Sequence, residues 1–167
     1  MKVTWIFALL LAISACTHKE QDHAAPNATR EKAEIGRMLD QWHRDAAKAD
    51  TNYFRSLAAQ AVYIGTDKTE HWSKKEFIKF ATPYFEKGQA WNFKPLERNL
   101  FIAESGQLAW FDELLATWMG TCRASGVLVR ESGTWKISHY HLSLAVPNEK
   151  MREVIQIIDE KPLEAEQ

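Results

Sequence analysis

The spacing of apolar residues changes once along this chain, and that change constrains the fold more than any other feature. From Thr29 to about Gly88, apolar side chains recur every three or four residues, as at Ile35, Leu39 and Trp42. This period places them on one face of a helix. After Gly88 the period becomes two, as expected of strands with one buried face. Helices followed by a run of strands predict an α+β domain.

Turn signals divide the second half of the chain into an antiparallel meander. Ser105-Gly106 and the segment 131–134 are typical of turns between strands. Ser73 and Glu76 form a capping box that begins a helix in the first half. Apolar residues from Met151 onward predict a short C-terminal helix. The strands are expected at residues 61–65, 91–103, 107–119, 122–130 and 135–144.

The first fifteen residues are typical of a signal peptide rather than of a folded domain. Lys2 precedes an apolar segment, residues 5–13, that is too short to span a bilayer as a helix. The tetrapeptide Ile-Ser-Ala-Cys that ends at Cys16 resembles the bacterial lipobox. This resemblance implies cleavage before Cys16 and lipidation of its sulfur. Thr17, in place of an aspartate, favours the outer membrane on its periplasmic side. A plain secretory signal with a chance cysteine is the alternative.

The chain is therefore expected to have four segments. Residues 1–15 form the lipoprotein signal peptide, and the polar residues 16–28 form a flexible tether between lipid and domain. Residues 29–148 form the folded domain. Residues 149–167 form the C-terminal helix and an acidic tail. The lipid anchor would make a membrane one partner of this protein.

Charge and motifs exclude several classes of function. A formal net charge of -1 argues against binding to nucleic acid. The chain has two cysteines, and if Cys16 is lipidated then Cys122 has no intramolecular partner, so neither a disulfide scaffold nor a cysteine metal site is expected. The motifs of dinucleotide, phosphate-loop, nucleophile-elbow and zinc-protease sites do not occur. The sequence therefore predicts no cofactor and no metal.

Two histidines one residue apart on the last strand are the first candidates for chemistry. Along this strand, His139 and His141 share a face with Trp135 and Ile137. Because the latter two are expected in the core, the sequence predicts that both histidines face inward. They could be satisfied histidines that brace the sheet, or groups that bind a ligand or move a proton. A shared metal is a third alternative, without an evident third ligand.

Two adjacent acids, Asp112 and Glu113, are the second candidates. Apolar residues flank both faces of their strand, so at least one acid is expected to be partly buried. Burial raises the pKa of a carboxyl group, which suits a general acid or base near neutral pH. Asp112 or Glu113 could then act together with His141. The alternative is a structural salt bridge with Arg123 or Arg130.

Aromatic residues supply the candidates for ligand binding. Trp72 lies between a strand and the capped helix, where an aromatic side chain could close the rim of a cavity. The candidate ligand-binding residues are Tyr63, Trp72, Trp110 and Glu113. A ligand pocket should enclose roughly 300 Å³ or more. A filled interior would instead indicate a structural or interaction role.

Three segments carry a resemblance to a known family. They are VYIGTDKTEHW at 62–72, LAWFDE at 108–113 and GVLVRESGTWKISHYHLSLAVPN at 126–148. With the order of elements, they resemble the SnoaL-like domains of the nuclear transport factor 2-like superfamily over residues 33–148. The resemblance implies a cone-shaped, curved antiparallel sheet around the N-terminal helices, open over a cavity. It also implies a possible homodimer through the sheet.

The resemblance leaves two functions open. The first is a lipid-anchored periplasmic domain with a pocket for a small, largely apolar ligand. The alternative is an enzyme, because the superfamily includes polyketide cyclases, ketosteroid isomerases and dehydratases that move protons. Its candidate catalytic residues are Asp112, His139 and His141.

Overall fold

The computed structural model describes residues 24–88 and 90–159. The predicted signal peptide and Cys16 lie outside the described residues, so both stay predictions. No helix in these two ranges is long and apolar enough to cross a membrane. The elements follow in the order α1 (Ala24–Ala47), α2 (Asn52–Arg55), β1 (Leu57–Ile64), β2 (His71–Ser73), α3 (Lys74–Glu86), β3 (Lys94–Ile102), β4 (Leu108–Thr117), β5 (Gly120–Glu131), β6 (Thr134–Leu144) and α4 (Met151–Asp159), with a 3₁₀ turn at Asn148–Lys150.

Helix α1 carries the predicted apolar stripe. Ile35, Leu39 and Trp42 are buried in the core, as their helical spacing on one face requires. The helix begins at Ala24, so the last residues assigned to the tether, 24–28, are helical. A proline in this first turn is compatible with a helix because the first backbone N–H groups need no intrahelical partner.

Helix α3 begins at the predicted capping box. The Ser73 hydroxyl accepts a hydrogen bond from the Glu76 backbone N–H, and the Glu76 carboxylate accepts one from the Ser73 backbone N–H. Pro83 lies inside the last part of the helix, which continues to Glu86. Gly88 follows with a φ of 68°, a left-handed conformation that glycine adopts without strain.

The six strands form one curved, unclosed sheet in the order β2-β1-β6-β5-β4-β3. Strands β3 to β6 form the predicted antiparallel meander. However, β1 pairs with β6 in parallel, so the sheet is mixed and the prediction of a wholly antiparallel sheet is wrong at this junction. Strand β2, which the sequence did not predict, pairs with the end of β1 and leads directly into α3.

Strand β6 contains a β-bulge at Ser138. Ile137 pairs with Leu128 of β5, but His139 pairs with the adjacent Val127, so Ser138 is an extra residue on β6. An extra residue moves every later side chain of the strand to the opposite face of the sheet.

This bulge determines where the two histidines point. The buried side chains of β6 are Trp135 and Ile137 before the bulge, and Tyr140 and Leu142 after it. His139 and His141 therefore lie on the outer face, the side of the sheet turned away from the buried core. His141 is exposed there and His139 is half-buried. The prediction that both face inward is wrong, because it assumed unbroken alternation.

Aromatic rings fill the inner face of the sheet. Trp42 stacks on Tyr53 with ring centroids 4.8 Å apart, and it meets Tyr140 edge-on, also at 4.8 Å. Tyr63 of β1 stacks on Phe77 of α3 at 3.8 Å. The interior among these rings is packed side chain against side chain.

Candidate functional site

An apolar cavity, called here the aromatic pocket, lies between β1, β2, α3 and the turn that joins β4 to β5. Its volume is about 130 Å³. This is smaller than the pocket of roughly 300 Å³ expected from the sequence, because aromatic side chains occupy most of the interior. The aromatic residues of its wall are Tyr63, Trp72, Phe77, Phe80, Trp91, Phe93 and Trp118.

Two tryptophans determine the shape of this pocket. Trp72 stacks on Phe80 of α3 with ring centroids 4.4 Å apart, so its ring is fixed at one side. Trp118, in the β4–β5 turn, is 83% exposed. An exposed indole beside an apolar cavity provides surface that a bound molecule would cover. Thr66 and Glu70 add polar groups to the same cavity.

Two of the four predicted ligand-binding residues line this pocket, Tyr63 and Trp72. Burial raises the pKa of Tyr63 well above its usual value. Its hydroxyl therefore stays protonated at neutral pH and is able to donate a hydrogen bond.

Trp110 lies elsewhere, on the outer face of β4. Its ring stacks on Phe101 of β3 with centroids 5.6 Å apart, and 43% of Trp110 is exposed. The pair forms an apolar area on the outer face, separate from the aromatic pocket.

Asp112 also lies on the outer face. Its Oδ1 accepts hydrogen bonds from Arg123 and from Asn99, each at 3.1 Å. Asp112 pairs with Ser125 of β5, which in turn pairs with His141, so a whole strand separates the acid from that histidine. The structure does not bring the two into one cavity. The salt bridge with Arg123 is the arrangement that it shows.

Glu113 is completely buried on the inner face, within what we call the buried polar cluster. Its Oε1 accepts a hydrogen bond from Arg98 Nε at 2.5 Å, and its Oε2 lies 2.9 Å from His43 Nε2. Arg98 Nη1 also donates to Asp40 Oδ1 at 2.7 Å. Four polar side chains thus form one connected hydrogen-bond network: His43 and Asp40 from α1, Arg98 from β3 and Glu113 from β4. Glu113 does not line the aromatic pocket.

The sequence carries signals for this network. His43 occupies the apolar stripe of α1, four residues after Leu39. Arg98 shares its strand face with Leu100 and Ile102, which point inward. A basic residue and an acid at core positions of neighbouring strands predict a buried ion pair.

Three buried donors lie in the same interior without a hydrogen-bond partner among the described residues. They are Nε1 of Trp42, Nη2 of Arg98 and the hydroxyl of Tyr140. Burial, and then the nearby Tyr63 and Glu113, raise the pKa of Tyr140. The interior is therefore rich in donors. Within residues 24–88 and 90–159, no three His, Cys, Asp or Glu side chains are placed to hold a metal ion.

A curved mixed sheet of six strands, with helices on its inner face and a small apolar pocket, defines the nuclear transport factor 2-like, or cystatin-like, class of α+β domains. A family model of the SnoaL-like domain matches residues 35–147. The chain belongs to this family.

Solved structures share the fold at low sequence identity. An NTF2-like protein of unknown function from Pseudomonas putida is 17% identical, with a TM-score of 0.61 over 73% of this chain and 92% of that one. A proposed scytalone dehydratase from Novosphingobium aromaticivorans is 9% identical, with a TM-score of 0.62 over 72% and 88%. The association domain of CaMKII from C. elegans is 18% identical, with a TM-score of 0.58 over 71% and 98%. A comparison with curated proteins finds no match.

Proposed function

We propose that this protein is a lipid-anchored periplasmic domain that binds a small, flat, largely apolar molecule in the aromatic pocket. The observation that carries this proposal is the pocket itself, which is lined by aromatic rings and bordered by the exposed indole of Trp118. Ligand sites in proteins typically combine apolar walls with a few polar groups. Here Thr66 and Glu70 supply those groups.

The size of the pocket limits its ligand. A cavity of about 130 Å³ accepts a single ring or a fused pair rather than a drug-sized molecule. A shallow groove of about 370 Å³ lies on the other side of the Trp72–Phe80 pair, between Glu76 and Lys79. A longer ligand would place one ring in the pocket and extend over Trp72 into this groove.

A matched pair of tryptophan variants tests this proposal. Trp72→Ala removes one wall of the pocket, whereas Trp110→Ala removes an indole from the outer face. With indole as the probe and calorimetry of the purified full chain, Trp72→Ala should weaken binding about tenfold, and Trp110→Ala should leave it unchanged. Equal effects of the two variants, or no effect of Trp72→Ala, would contradict the proposal.

The anchor is tested separately. The Ile-Ser-Ala-Cys tetrapeptide supports lipidation at Cys16. We expect the full chain to partition into the detergent phase and Cys16→Ser to become soluble. A Cys16→Ser protein that still fractionates with membranes would exclude lipid at this residue as the anchor.

A second candidate function is self-association through the outer face. The exposed Phe101–Trp110 stack offers an apolar contact area, and one structural relative is the association domain of a kinase. Trp110→Lys should then lower the mass measured by sedimentation, while Trp118→Lys should not. The expected pairing of Asp112 with His141 in an enzyme has no support in the geometry, since strand β5 lies between them on the outer face.

A further inference from the structure

A second cavity, called here the polar crevice, lies between the C-terminal half of α1 and the chain entering β3. Its volume is about 220 Å³. It is lined by Asp40, His43, Arg44 and Ala47 of α1 and by residues 92–95. Phe93 lines both this crevice and the aromatic pocket, so one ring separates two cavities of different chemistry.

The polar crevice has a buried imidazole in its wall. His43 is only 5% exposed, and its Nε2 is held 2.9 Å from Glu113. Glu113 in turn is held by Arg98. The ring is therefore fixed from behind by the buried polar cluster. Among the described residues, its second nitrogen, Nδ1, has no hydrogen-bond partner.

The crevice also carries an excess of positive charge. Arg44 and Lys94 make no ion pair with any described residue, whereas Asp40 is paired with Arg98. The Arg44 guanidinium donates hydrogen bonds to Gln41 Oε1, a neutral acceptor. Two cations without a carboxylate partner among the described residues therefore border one cavity, and they favour an anionic occupant.

The buried polar cluster itself argues for a role beyond stability. Taking charges out of water is costly, and a buried ion pair is weak evidence for a stabilising function. Here the cluster ends at a histidine that forms part of a cavity wall.

We infer that the polar crevice binds a small carboxylate anion, with its charge against Lys94 and Arg44 and its hydrocarbon part against Ala47 and Phe93. One carboxylate oxygen accepts a hydrogen bond from His43 Nδ1. For this bond the ring takes up one proton from solvent, so that the imidazolium lies between Glu113 and the anion. This site goes beyond the proposed function and does not depend on the aromatic pocket.

The bound anion fixes the direction of this coupling. The other charges around His43 are negative at Glu113 and Asp40 and positive at Arg44, Lys94 and Arg98. Because the anion adds negative charge next to the ring, its binding and the uptake of the proton reinforce each other. Carboxylate binding should therefore tighten as the pH falls, by at most about tenfold per pH unit for one proton.

Propionate and propionamide provide a matched pair of probes for the purified full chain. They have nearly the same shape, but only propionate is charged. Histidine labelled with ¹⁵N reports the protonation of His43 Nδ1, and the His43→Gln spectrum identifies its signals among the six histidines. We expect propionate to bind, to protonate Nδ1 and to bind more tightly at pH 6 than at pH 8. Propionamide should do none of these.

Two lysine variants keep the inference testable without disturbing the core. Lys94→Gln should weaken propionate binding about fivefold, the upper end for one exposed charge pair. Lys75→Gln, on the exposed side of α3, should have no effect. Trp72→Ala should weaken indole but not propionate, which separates this inference from the proposed function. Equal binding of propionate and propionamide, an unchanged His43 signal, or equal effects of the two lysine variants would overturn it.

Discussion

The adjacent acids Asp112 and Glu113 allow one substitution to be compared on the two faces of a single strand. Glu113→Gln removes a negative charge that is 0% exposed and that accepts hydrogen bonds from Arg98 and His43. Asp112→Asn removes a negative charge that pairs with Arg123 at the surface. Only the first variant leaves a buried cation without its main counter-charge. Glu113→Gln should therefore lower the free energy of unfolding far more than Asp112→Asn.

The expected magnitudes follow from the environment of each pair. Breaking a buried pair costs about 3–5 kcal/mol, and we take about 3 kcal/mol for Glu113→Gln because glutamine keeps an acceptor for one bond. An exposed pair contributes about 0–1 kcal/mol, which is the limit for Asp112→Asn. Urea unfolding followed by tryptophan fluorescence measures both. With a slope near 2 kcal/mol/M, Glu113→Gln should lower the midpoint by about 1.5 M.

Equal midpoints for the two variants would refute this assignment of inner and outer face. A double variant gives an independent check of the same reasoning. Replacing Glu113 and Arg98 together by methionine removes both charges and leaves no buried cation unpaired. The double variant should therefore recover much of the stability that Glu113→Gln loses. A double variant less stable than Glu113→Gln would show that the network is needed for packing rather than for charge balance.

Two further predictions concern packing and pH. Gly126→Ala would place its Cβ 2.5 Å from the Phe111 ring and 2.8 Å from the His139 carbonyl oxygen, so it should lower the free energy of unfolding by about 1–3 kcal/mol in the same urea assay. Gly36→Ala is the control on a helix, because its Cβ would meet only Leu100 at 3.8 Å, and it should raise the free energy of unfolding by about 0.5–1 kcal/mol. Burial, and then the nearby His141, lowers the pKa of His139 below its usual value of 6.5. The unfolded chain therefore binds this proton more readily, and the free energy of unfolding should fall as the pH falls through 6.5 and below. His139→Gln should flatten that part of the stability curve, and an unchanged curve would contradict the assignment.

The helices and strands could be predicted because the apolar residues that define their spacing are buried on one face in the structure. Ile35, Leu39 and Trp42 are buried as α1 requires, and the capping box at Ser73 begins α3 as expected. The parallel pairing of β1 with β6 could not be predicted in the same way. It depends on which distant strand pairs with the edge of the meander, and neither strand carries a local signal for its neighbour.

The inward placement of His139 and His141 was wrong because of one extra residue, and the sequence contained the signal for it. Along β6 the apolar side chains occupy odd positions as far as Ile137 and even positions from Tyr140 onward. No regular strand can bury both sets on one face, so the change of parity itself requires an extra residue between them. Ser138 is that residue. A polar pair at odd positions after the change, His139 and His141, therefore belongs on the outer face.

The same argument explains why the buried polar cluster was missed. Arg98 and Glu113 occupy positions whose strand neighbours are apolar and inward, and His43 occupies the apolar stripe of a helix. Each residue alone looks like an exception to its pattern. Charged residues are almost never fully buried unless they are paired, so three exceptions on three packed elements explain one another. A polar residue at a core position therefore predicts a polar partner at a core position of another element. In this chain the three partners meet where α1, β3 and β4 pack together, beside the polar crevice.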